Sequence, residues 1–170
     1  MSTSQRSGGQ RFLENLAYMV PGYEGYKQRK MRKEEDARLR VRVHRRLLQQ
    51  IQIMDDIHER WVKQPWGNHI EELDRRRLQL QSIADSVRYS PYSSQDFFDT
   101  ETVNAQIIDS ILESDLLILE DLQETQEHLD NHLRISTAPR TTKAFFDILD
   151  KKFDGLEQHL MIREKILASA

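Results

Sequence analysis

Apolar residues recur every three or four positions along four long stretches of this 170-residue chain, the spacing of helices that each bury one face. Between Gly25 and Pro65 there is neither Pro nor Gly, and Ala37, Arg40, His44, Leu47, Ile51, Met54, His58 and Trp61 fall on one stripe. A helix of about 38 residues within 25–64 would run about 57 Å at 1.5 Å per residue, so its basic half is expected to project from a compact bundle. Pro65-Trp66-Gly67-Asn68 predicts a turn, and Asn68 with Glu71 has the spacing of a capping box. The second helix then carries Ile70, Leu73, Arg77, Leu80, Ala84 and Val87 on its stripe.

Ser90 to Ser94 reads as a loop, and Phe97-Phe98 as a plug for one end of the core. Thr100 is the expected cap of a third helix reaching about Leu133, with Ile108, Ile111, Asp115, Ile118, Leu122, Thr125, Leu129 and His132 facing inward. Ser136 to Pro139 breaks it. The fourth helix presents Phe146, Leu149, Phe153, Leu156, Leu160, Arg163 and Leu167, and tolerates Gly155 at about 1 kcal/mol relative to Ala. Short connections favour antiparallel neighbours. The expected fold is therefore all-α, an antiparallel up-down four-helix bundle with a long first helix. Its organisation reads as a disordered tail over 1–11, a short apolar segment and Pro-Gly-Tyr turn over 12–24, and a single bundle over 25–170. The tail lacks the apolar core of a secretory signal, and no apolar run approaches the roughly 18 to 20 residues of a membrane span. A cytoplasmic setting is expected.

Composition narrows the chemistry. There is no cysteine, which excludes disulfides, thiolate nucleophiles and zinc-thiolate sites. The net charge of −3 hides a segregation: residues 1–50 hold 12 Lys and Arg against 5 Asp and Glu, whereas 90–134 hold 11 acids against Arg134 alone. The basic first helix either is neutralised by the acidic third or forms an arm for an acidic protein, anionic lipid or nucleic acid. Glu34, Glu35 and Asp36 interrupt that arm, and Glu34 to Arg38 is a favourable helical pair, so nucleic acid ranks low.

Polar residues on the apolar stripes are the candidate sites. An isolated buried charge is costly unless paired. Asp115, between Ile111 and Ile118, needs a partner, for which Arg77, Arg76 or a histidine is available; Asp115, Arg77 and Asp36 are read as buried structural groups. The alternative is a di-metal-type bundle using His44, Asp55, His58, Asp115 and His132. No Glu-x-x-His motif occurs, Asp55-x-x-His58 being the nearest, and His128 with His132 and Glu124 forms a weaker chelating set. There is no Gly-x-Ser-x-Gly elbow and no Gly-rich phosphate loop, so neither an enzyme nor a cofactor is expected. Tyr18, Tyr23 and Tyr26 surround the Pro21-Gly22 turn, either packing it onto the bundle or anchoring a partner.

Pro21-Gly22-Tyr23-Glu24-Gly25-Tyr26, followed by Arg32-Lys33-Glu34-Glu35-Asp36 and Leu39-Arg40, resembles the N-terminal block of a group of bacterial proteins with no established activity. That block runs Pro-Gly-Tyr-x-Gly-Tyr, then Arg-Arg-x-x-Asp-x-x-Leu-Arg. Phe97-Phe98-Asp99 and Asp115-Leu116-Leu117 are similar to later blocks, and Lys30 departs from the acid usual in the group. The resemblance covers about 30 residues, implies a helical fold, and draws attention to Tyr23, Tyr26, Asp36, Arg40 and Asp115. The expected function is a non-enzymatic interaction or scaffolding protein, with a protein partner or a second copy docking at Tyr23, Tyr26, Lys27, Arg29, Arg32 and Arg40. Peripheral contact with an anionic membrane remains an alternative, and no transmembrane segment is expected.

Overall fold

The structure, a computed structural model, describes residues 8–64, 69–89, 95–134 and 142–169. It is all-helical, with α1 (Gly8–Met19), α2 (Arg29–Val62), α3 (Ile70–Tyr89), α4 (Gln95–Asp99), α5 (Ala105–Arg134) and α6 (Thr142–Ala168). Among the described residues none is a strand, and no helix is long and apolar enough to cross a membrane. Four helices were expected; the two additional ones are α1 and the single-turn α4.

The helix ends follow local chemistry. Helix α1 begins at Gly8, inside the stretch expected as a polar tail, while residues 1–7 lie outside the described residues. Gly9 meets Asp109 so closely that a Cβ there would lie 1.9 Å from Oδ1. The carboxylate thus sits against the positive end of the helix. Helix α2 starts at Arg29, not Gly25, because Gly22 and Gly25 take φ of +77° and +81°, which end any helical path before that point. Helix α5 is capped by Asn104, not Thr100. Asn104 Oδ1 accepts from the Gln106 amide at 2.9 Å, and its carbonyl accepts from Ile107 and Ile108. The expected Asn68 capping box and the breaks at 90–94 and 136–139 lie outside the described residues.

The chain divides into two compact units. The first comprises the residues up to 42, 91–119 and those from 159 onward. Leu16, Val20, Leu39, Ile108, Ile111, Leu112 and Leu167 are buried there, together with a run of edge-on rings: Tyr23 to Tyr26 at 5.8 Å, Tyr26 to Phe97 at 5.6 Å, and Phe97 to Phe98 at 5.1 Å.

The second unit comprises 43–90 and 120–158. Its core is Val43, Leu47, Met54, Ile57, Trp61, Leu73, Leu80, Leu122, Leu129, Leu149, Phe153 and Leu156, with an aromatic cluster at one place. There Trp61 meets Phe145 at 6.2 Å, Phe146 at 5.9 Å and His132 at 5.6 Å, and His132 stacks on Phe145 at 3.7 Å. Arg76 covers the Phe146 ring at 4.2 Å and grips Asp150 with two hydrogen bonds of 2.6 and 2.7 Å.

The α5 and α6 stripes lie inward, apart from a half-buried Leu160. In α2, Leu47, Ile51, Met54 and Trp61 of the expected stripe are buried, in a line that also takes in Arg32, Asp36, Leu39, Val43, Gln50 and Ile57. The line through Ala37, Arg40, His44 and His58 runs beside it, and those four side chains are half-buried. The more apolar choices, Leu39, Val43 and Ile57, decide which side turns in. In α3 the buried line passes through Arg76, between Leu73 and Leu80, and not through Arg77.

Candidate functional site: a buried ionic knot and a cationic groove

The expected partner of Asp115 is corrected. It is Arg163, not Arg77. Arg163 Nε donates to Asp115 Oδ1 at 2.5 Å, and its Nη2 reaches Asp36 Oδ1 at 2.6 Å and Tyr26 Oη at 3.0 Å. The second oxygen of Asp115 accepts from Tyr26 Oη at 2.7 Å and Tyr23 Oη at 3.1 Å. Arg40 Nε lies 2.8 Å from Asp36 Oδ2, close enough for an ion pair although not aligned as a hydrogen bond. Two carboxylates therefore meet two guanidinium groups in a knot: Asp36 and Asp115 are fully buried, Arg163 is 5% exposed, and Arg40 is half-buried at the rim.

The chain builds this knot from its turn upward. The positive φ at Gly22 and Gly25 turns Tyr23 and Tyr26 into the core, so both hydroxyls converge on one carboxylate. A Cβ at Gly25 would come within 2.9 Å of Leu13, so the turn also needs that position bare. Two arginines hold its backbone. Arg32 Nε donates to the Tyr26 carbonyl at 3.0 Å, and its Nη1 donates to the carbonyls of Phe97 and Thr100 at 2.9 and 2.8 Å. Arg38 donates to the Gly22 carbonyl and to Glu34. The buried Glu35 accepts from the Glu24 amide at 3.0 Å.

Electrostatics keep each group in its role. Burial pushes the Asp115 carboxyl up, against the lowering by Arg163 and the Tyr26 hydrogen bond. Burial alone would lower Arg163, but Asp115, Tyr26 and Asp36 overcome it and hold the guanidinium well above its ordinary value. Burial and the Asp115 charge raise both tyrosines, which therefore remain donors. Arg32 is lowered by burial and by Arg29.

Several candidate residues change role. Tyr23 and Tyr26 are 4% and 0% exposed and Arg32 is 1% exposed, so none is a surface anchor: packing the turn used them up. Arg40 is engaged with Asp36. Tyr18 does face solvent, and Lys27 and Arg29 stay exposed. Arg77 is half-buried and paired with Asp55, not buried as a structural charge. The proposed metal set is not gathered. Asp55 is held by Arg77, His58 faces Asp74 at 3.6 Å, Asp115 is held by Arg163 and His132 is stacked on Phe145. His128 donates to the Phe145 carbonyl at 3.1 Å. Among the described residues no group of three or more His, Asp or Glu is arranged to hold a metal ion.

An open groove lies elsewhere in the first unit. Gln28, Arg29, Lys30 and Lys33, at the start of α2, face Phe98, Asp99 and Glu101 across a groove of about 700 Å³. Lys33 pairs with Asp99 at 2.9 Å and Arg29 with Glu101 at 3.5 Å, and all four side chains are about half exposed or more. Sequence reasoning pointed to Lys27 and Arg29 but missed Arg163, whose signal was its place on the α6 stripe between Leu160 and Leu167.

Comparison with family models, curated proteins and solved structures returns no match to this chain.

Proposed function

We propose that this chain is a non-enzymatic interaction or scaffolding protein that receives an acidic segment of a partner on the cationic start of α2. The reading includes a cytoplasmic setting and the antiparallel four-helix order expected for the long helices. One observation carries it: the polar chemistry of the first unit is consumed by its own buried knot, while Lys27, Arg29, Lys30 and Lys33 remain in solvent beside an open groove.

The buried knot is a poor catalyst. Both oxygens of Asp115 accept hydrogen bonds, the tyrosines are held protonated, and burial denies a substrate access. The cations at the groove have the opposite character. Exposed charges of one sign speed encounter with an oppositely charged partner and select its orientation, in a salt-dependent way.

The test is fluorescence anisotropy of a labelled decaglutamate peptide titrated with the full chain at low and at high salt. Binding that weakens at least tenfold with salt and with Lys27→Glu/Lys30→Glu is expected. A chain that leaves the peptide free at low salt overturns the reading. Light scattering of the same samples reports whether a second copy, through its acidic α5, is the partner.

A further inference from the structure

We infer that Asp99 and Glu101 are a built-in stand-in for the acidic segment, occupying the groove of α2 until a partner with an acid-x-acid motif displaces them. This rests on the reading above and goes further, because it names what the groove recognises and how access is limited.

The geometry supplies the motif. Arg29 and Lys33 are separated by one turn of α2, about 6 Å along its axis at 1.5 Å per residue. Two side chains on the same side of an extended segment, at positions i and i+2, are separated by about 6.6 Å. An acid-x-acid segment therefore matches two cations one turn apart. The chain itself shows this pairing, Asp99 on Lys33 and Glu101 on Arg29, with Thr100 between them. The intervening backbone is firmly held, since Arg32 donates to the carbonyls of Phe97 and Thr100. The acids are thus presented to the cations by a fixed strap.

The hold of the acids themselves is weak. Glu101 is 86% exposed and Asp99 and Lys33 are each 55% exposed. Exposed ion pairs of this kind contribute about 0–1 kcal/mol each, so an incoming pair of carboxylates can exchange with them. The groove also has capacity left over. Gln28 and Lys30 line it, and neither side chain has an ion pair or hydrogen bond among the described residues. A partner carboxylate or side-chain carbonyl would meet these after displacing the internal acids. At about 700 Å³ the space suits a short peptide segment.

The experiment compares the full wild-type chain with Asp99→Asn/Glu101→Gln, which keeps the shape of both side chains and the Arg32 contacts to the backbone. The probe is a labelled peptide carrying Asp-Thr-Glu between Ser and Gly residues, with Asn-Thr-Gln as its control, followed by anisotropy at low salt. The variant is expected to bind the acidic peptide about threefold to thirtyfold more tightly than wild type, and the control peptide no better. Equal or weaker binding by the variant overturns the stand-in while leaving the docking surface intact. Equal binding of both peptides overturns recognition of the acid pair. If neither protein binds the acidic peptide, the docking reading and the stand-in fall together.

Discussion

Each unit buries a core of large side chains, but the two settle their polar groups in different ways. The first ties a turn, α2, α5 and α6 together through directed bonds between Tyr23, Tyr26, Asp36, Asp115 and Arg163. The second relies on rings, with Trp61, His132, Phe145 and Phe146 in mutual contact and its main arginine, Arg76, placed at the edge over Phe146. A bond network specifies one register but fails when any charged member is lost. A ring cluster tolerates small shifts but is sensitive to volume and to charging of its histidine. The difference turns into separable outcomes when each unit is perturbed in its own currency.

The largest effect is expected from Arg163→Met. It leaves Asp115 without its cation and Asp36 without one of two, and breaking a buried pair from one side costs about 3–5 kcal/mol. Urea unfolding measures the loss. Adding Asp36→Asn and Asp115→Asn to that variant removes the stranded charges and should recover much of it; no recovery would mean that packing, not charge, holds the knot. In the second unit Phe146→Ala removes a buried ring and the face under Arg76, with an expected loss of about 3–5 kcal/mol including the cavity. Hydrogen exchange should show the first variant loosening residues around 105–119 and the second those around 69–80. Identical protection patterns would show that the contrast between the units has no energetic meaning.

A smaller effect separates the units by pH. Burial, then His128 and Arg60, lower His132 from 6.5 to about 4. The groups facing this stack are Arg60 and Trp61 on α2, His69 beside α3, and Phe145, Phe146 and Lys152 on α6, with Lys152 paired to Glu124. No carboxylate among these is placed to receive a proton on His132. Well above pH 6.5 the ring is neutral in both folded and unfolded chains and pH has no effect through it. As pH falls from 6.5 towards 4 the unfolded chain binds the proton first, and stability is lost by on the order of 2 kcal/mol. His132→Phe keeps the stack and should remove that portion of the acid sensitivity, read from urea midpoints at pH 7 and pH 4.5. A folded-state NMR titration of His132 near 6.5 would contradict the account independently of whether the variant folds.

These contrasts explain how far the sequence could be read. The α5 stripe was legible because Ile108, Ile111, Ile118, Leu122 and Leu129 recur at steps of three, four and seven, although Leu112, Leu116 and Leu119 beside it are buried as well, and Asp115 stood out as a charge needing a partner. The identity of that partner was not legible, because Arg163 lies 48 positions away on another helix and pairing across helices has no local signature. Arg75, Arg76 and Arg77 differ by about 100° of rotation per residue, and only the position of Asp150 and Phe146 selects Arg76. The tyrosine turn is legible as a motif, and of its two readings, packing onto the bundle or anchoring a partner, Tyr23 and Tyr26 follow the first because Gly22 and Gly25 turn them inward. Asn104 outcompeted Thr100 as a cap through a two-residue side-chain reach visible only once α5 had a start.

The finest test lies inside the first unit, between its two tyrosines. Tyr26 both donates to Asp115 and accepts from Arg163, whereas Tyr23 only donates, over a longer distance, to the same oxygen. Tyr26→Phe therefore breaks two bonds and leaves an arginine N–H less well satisfied, at an expected cost of about 1–3 kcal/mol. Tyr23→Phe removes one bond and leaves Asp115 Oδ2 with its shorter donor, at about 0.5–1.5 kcal/mol. Both rings stay in place, so the edge-on contacts with Phe97 and with each other persist and the difference reports hydrogen bonding alone. Urea midpoints for the two single variants and the double variant close a cycle. Because both hydroxyls serve one carboxylate oxygen, the double variant should lose more than the sum, since only then is that oxygen buried with no donor. Simple additivity would mean that Asp115 finds a replacement donor when the tyrosines are gone, and the knot would then be less closed than its geometry shows.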